Sequence, residues 1–130
     1  MRSFLVLLAG GLMVLSSIAH SVLGWPAQRS ELRNAGAQED LIGGLAVGWH
    51  FGSAAMLTFG AIVLVGGLKL RKGDLSGVVP VQIIAACYVL FGLAALFYQK
   101  LNPHFVGSLS CLLAGLPVLG RRTSAPVPGK

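Results

Sequence analysis

Four uncharged apolar runs, roughly 4–24, 41–68, 78–98 and 104–120, fill most of the 130 residues. Each is long enough at ~1.5 Å per helical residue to approach or exceed the ~30 Å of a bilayer's hydrocarbon core. Continuous runs of this kind read as helices, because barrel strands show shorter, alternating segments. With 55% of residues apolar and 11% charged, nothing remains for a separate soluble domain. The reading is an all-α integral membrane four-helix bundle with antiparallel neighbours, one domain over 1–120, followed by a disordered basic cytoplasmic tail over 121–130.

Ten Lys and Arg stand against four acidic residues, a balance that elsewhere suggests nucleic acid. Here the charges flank the apolar runs and read as topology instead. With the N-terminus inside, Arg2, Lys69, Arg71, Lys72, Arg121, Arg122 and Lys130 fall on the cytoplasmic side, against Arg29, Arg33 and Lys100 outside. The positive-inside rule then puts both termini in the cytoplasm, in a bacterial inner membrane, with the first and third loops exported. Membrane lipid and other membrane subunits, or further copies of the chain, are the expected partners; nucleic acid is not.

The start of the chain also fits a cleavable leader, with Arg2, an apolar core and small residues at Ser17-Ile18-Ala19. The apolar run continues past Ala19 to Trp25, which favours a retained span ending in an interfacial aromatic. The first exported loop, 26–40, is the longest polar segment and has room for a short helix over 30–33 that breaks at Gly36. Arg71-Lys72-Gly73-Asp74 forms a tight turn that makes spans two and three adjacent and antiparallel. Asn102-Pro103 starts the fourth span, Asn as cap and Pro at the first helical position. Cys87 and Cys111 lie in spans with no Cys-x-x-Cys partner and read as packing residues.

Gly44, Gly48, Gly52 and Gly60 recur at four-residue multiples along one face of the second span. In lipid, small residues let helix backbones approach closely, so this row predicts a tight contact, within the bundle or with another subunit. Gly10, Gly11 and Gly92 offer similar surfaces.

His20 and His50 lie inside apolar runs, where an ionisable side chain is costly and often functional. His20 sits ~7 Å below the level of Trp25. His50 can reach a comparable depth on the second span, whose hydrocarbon entry falls after Leu41, and His104 lies at the same outer boundary. Small residues flank both buried imidazoles: Ser16 and Ser17 near His20, Ala46 and Ser53 near His50. That clearance suits a tetrapyrrole ligated through its metal, with Trp49 and Phe51 as walls. Two imidazoles would hold one haem iron, and one would hold a (bacterio)chlorophyll magnesium. The Ala46-x-x-x-His50 spacing is similar to that of light-harvesting polypeptides. A competing reading has each imidazole hydrogen-bonding a neighbouring helix and fixing packing only. A zinc or copper site on His20, His50 and His104 is a further candidate, unsupported by any His-x-x-His spacing.

No acidic residue lies within a run, which counts against a proton-coupled pump. No base and nucleophile are arranged for hydrolysis, so no catalytic residues are assigned. The segments Ala19-His20-Ser21-Val22-Leu23-Gly24 and Trp49-His50 resemble the histidine-bearing first and second spans of small, uncharacterised bacterial four-helix membrane proteins. That resemblance implies a fold more than an activity. The functional expectation is a non-catalytic accessory or structural subunit of a larger membrane assembly. The alternatives are a tetrapyrrole-binding subunit in electron transfer or light capture, and a small oligomeric transporter.

Overall fold

The computed structural model describes residues 2–99, with side chains over 3–94, and every element in this part is helical. Helix α1 (Arg2–Ala19) runs through a π turn (His20–Gly24) into α2 (Trp25–Asn34). A short turn then leads to α3 (Glu39–Arg71), and a 3-10 turn (Leu75–Gly77) leads to α4 (Val78–Gln99). Three helices are thus long and apolar enough to cross a membrane: Ser3–Asn34, Glu39–Arg71 and Leu75–Ala94. This is consistent with an integral membrane protein. The expected fourth span over 104–120, the basic tail and Cys111 lie outside the described residues.

The polar segment after Trp25 differs from the expected loop. Pro26 sits at the start of α2, where a missing amide hydrogen is tolerated when the preceding turn is not a regular α turn. The π turn directly before it supplies that irregularity, so the helix continues to Asn34 instead of ending near Trp25. The connection shrinks to 35–38, and Gly36 turns it at φ +77°, a conformation that favours glycine.

Helices α1 and α3 form an antiparallel pair that meets over glycine. A Cβ at Gly10 would lie 2.9 Å from the Leu64 amide nitrogen and 3.1 Å from the Gly60 carbonyl oxygen. A Cβ at Gly60 would lie 2.8 Å from Val14 Cγ2 and 3.0 Å from the Val14 nitrogen. The backbones themselves are in contact there, so neither position accepts a side chain without separating the helices.

Spans two and three are adjacent and antiparallel, as the tight turn predicts. Gly66 backs onto Gly77 and Val81, and its Cβ would overlap Val81 Cγ2. Val6, Ala9 and Met13 of α1, Val63 of α3, and Val81, Ile84, Ala85 and Tyr88 of α4 make one buried cluster. Phe59 meets Tyr88 edge-on at 6.4 Å. At the turn, the Ser76 amide donates to Asp74 Oδ1 at 2.8 Å and Lys69 Nζ donates to Ser76 Oγ at 3.2 Å. The Ser76 backbone N–H, then its side chain, hold the Asp74 carboxyl below its ordinary range.

The glycine row divides. Gly60 is buried against α1, whereas a Cβ at Gly44, Gly48 or Gly52 would meet no atom within 4 Å among the described residues. The close contacts of α3 lie instead at Gly60, Gly66 and Gly67, the last facing Leu7.

Candidate functional site

The irregular turn exposes the backbone feature on which the site is built. In a π turn the carbonyl of residue i pairs with the amide five residues on, and His20 O accepts from the Trp25 N–H in this way. The same oxygen accepts a second hydrogen bond, from Trp49 Nε1 of α3 at 2.8 Å. A carbonyl has two lone pairs, so both donors are accommodated. The His20 ring lies flat on the Trp49 indole, centroids 4.2 Å apart and planes 4° from parallel. Trp49 thus grips His20 by its backbone and its ring together.

Clearance for that indole comes from Gly24, whose Cβ would lie 2.9 Å from Trp49 Cζ2. Ser53 Oγ donates to the Trp49 carbonyl at 3.1 Å, one turn back along α3. Trp25 closes the group, its ring 6.0 Å from Trp49 and 5.9 Å from His50, tilted in both contacts. Ser21 Oγ lies 2.9 Å from His50 Nδ1. One turn of the first helix, His20 and Ser21, thus lies level with one turn of α3, Trp49 and His50.

Of the small residues flanking His50, Ser53 bonds the Trp49 backbone, and the hydroxyl beside the His50 ring comes from Ser21 of the neighbouring helix. Ser16 is exposed and Ser17 is buried. Ser21 and Gly24 were not singled out as site residues beforehand. A glycine within an apolar run before a tryptophan was the available signal, although it did not indicate which indole would fill the space.

No family model, curated protein or solved structure matches this chain.

Chemically, the cluster can hold its histidines in defined orientations. With Nδ1 unprotonated, the Ser21 hydroxyl donates to His50; with Nδ1 protonated, the ring donates to Ser21 and Nε2 keeps its lone pair. The second tautomer is the one a metal or tetrapyrrole metal needs, and a serine on the far nitrogen is a suitable orienting partner. His50 is exposed and His20 is half-buried against Trp49. Among the described residues no group of three or more His, Cys, Asp or Glu converges as a metal site. The third histidine of the zinc or copper candidate, His104, lies outside the described residues.

A second polar feature lies above the cluster. Arg33 Nε donates to Glu39 Oε1 at 2.8 Å, and Arg29 approaches Glu39 Oε2 at 4.0 Å. These ion pairs tie the end of α2 to the start of α3. Their side chains are about half exposed or more, so solvent screens each pair and its contribution to stability is small.

Proposed function

We propose that this chain is a small integral membrane accessory or structural subunit of a larger membrane protein assembly, acting through helix packing. The observation that carries the reading is the Gly44, Gly48 and Gly52 row of α3, against which no described residue packs. The lower part of the same helix uses its glycines for close backbone contact with α1 and α4. A row left bare by the described residues offers the same kind of contact to a neighbouring helix. Both termini lie in the cytoplasm of a bacterial inner membrane on this reading, as the distribution of Lys and Arg favours.

The test is comigration of the tagged chain in mild detergent extracts of its native host. Wild type is expected to travel with a larger complex, and Gly48→Leu to travel free of it while keeping its helical content. A wild-type chain that migrates alone would overturn the proposal.

A tetrapyrrole carrier is the second reading. It is supported by the convergence of His20 and His50 at one end of the α1–α3 pair, with Ser21 placed to orient His50. Haem or (bacterio)chlorophyll would give the purified protein a visible absorption band that weakens in His50→Ala. A colourless preparation from the native host would remove this reading and leave packing as the role of the cluster.

A further inference from the structure

A cleft of about 320 Å³ runs along one side of α2, lined by Trp25, Pro26, Arg29, Ser30, Arg33 and Asn34. These positions recur four residues apart, so they form one face graded from aromatic and apolar at the bottom to cationic and amide at the top. Immediately below it, Val22 and Leu23 are 62% and 70% exposed. We propose that this cleft binds an anionic phospholipid, with its phosphodiester held by Arg29 and Arg33 and its acyl chains descending past Val22 and Leu23.

Depth supports the assignment. The helix Ser3–Asn34 has 32 residues and is ~48 Å long, well beyond the ~30 Å hydrocarbon thickness. Trp25 stands where the sequence turns from apolar to polar, the level of an interfacial indole. Arg29 lies ~6 Å further out and Arg33 ~12 Å. The headgroup layer is ~5–8 Å thick on each side, so the lower arginine falls at phosphate level and the upper one reaches down from its outer edge.

Charge supports it as well. Both guanidinium groups are paired with one carboxylate, Glu39, which leaves one net positive charge among these three groups. A phosphodiester carries one negative charge. Glu39 takes the Nε donor of Arg33, and a guanidinium has further N–H groups free in number to bind phosphate oxygens. Ser30 and Asn34 add neutral donors on the same wall. The chemistry recognised is a phosphate monoanion, and the apolar floor selects the lipid form of it. This inference is independent of the accessory-subunit reading, since it concerns the bilayer and not a protein partner.

The experiment uses the full chain reconstituted in bilayers of equimolar phosphatidylglycerol and phosphatidylcholine, re-extracted in mild detergent, with retained lipid counted by native mass spectrometry. Wild type is expected to retain phosphatidylglycerol in about tenfold excess, and the double variant Arg29→Gln/Arg33→Gln to fall to the bulk ratio. Glu39→Gln, which removes the competing carboxylate, is expected to raise the excess, a gain that misfolding does not produce. Equal retention of the two lipids by wild type, an unchanged excess in the double variant, or a fall in Glu39→Gln would overturn the proposal. Displacement of the lipid by millimolar inorganic phosphate would assign the cleft to soluble anions and overturn it too.

Discussion

Trp49 holds His20 from two sides: its indole nitrogen donates to the His20 carbonyl at 2.8 Å, and its ring lies 4.2 Å from the His20 imidazole. Trp49→Phe keeps an aromatic surface and deletes the donor. The His20 oxygen retains its bond from the Trp25 amide, so no acceptor is left bare. The expected loss is about 1 kcal/mol, read as a lower midpoint in detergent unfolding. An unchanged midpoint would show that the hydrogen bond contributes nothing.

Gly24 exists in this arrangement to make room for Trp49. Gly24→Ala places a methyl against the indole edge, with an expected cost of about 1–3 kcal/mol. In a Trp49→Ala background the same change should be nearly neutral, because the obstructing ring is gone. A double-mutant cycle measures this coupling, and additive effects would refute the contact.

Along α3, alanine should separate the glycines into two groups. Gly60→Ala forces Val14 and the α1 backbone away and is expected to destabilise the helix pair by about 1–3 kcal/mol. Gly48→Ala meets no described atom and is expected to leave the isolated chain as stable as before or slightly more so, alanine being the better helix former. Unfolding midpoints of the two variants decide the matter, and equal losses would contradict the division.

Acid should loosen the turn between α3 and α4. The Asp74 carboxyl is depressed in the folded chain by the Ser76 N–H, so its contribution is present above the ordinary carboxylate value and lost as pH falls through the lowered one. Exchange of the Ser76 amide is expected to gain protection less at strongly acid pH than at neutral pH, and Asp74→Asn should flatten that dependence. A pH-independent protection in wild type would count against the interaction.

Much of the described helical structure was legible because an uncharged run of twenty or more residues has few other uses. The end of the first helix was not. Pro26 and the polar stretch after it carry the composition of a loop, and the irregular turn that lets a helix continue past proline leaves no mark in hydropathy. The glycine row was visible by its spacing, yet its partner was not. A helix in lipid is apolar on every side, so the sequence lacks the polar face that would reveal which side meets protein. That is why Gly60 and Gly48 look alike in sequence and differ in space. For the histidines, a similar level on the two helices could be counted as feasible from Trp25 and Leu41, whereas the pairing of His20 with Trp49 and His50 with Ser21 depends on the rotation of each helix about its axis.

The turn at His20–Gly24 also sets the azimuth of everything that follows it. A π turn takes up one residue more than an α turn, and one residue in a regular helix corresponds to a rotation of about 100°. Were the same residues to close as uninterrupted α, the outer segment would be turned by about that angle relative to the inner one. The lower contacts at Gly10 and Val14 would stay in place, but Trp25 would swing from Trp49 and Arg33 from Glu39. The extra residue therefore works as a fixed phase shift, letting one rod present a packing face at one depth and an unrelated, chemically different face at another.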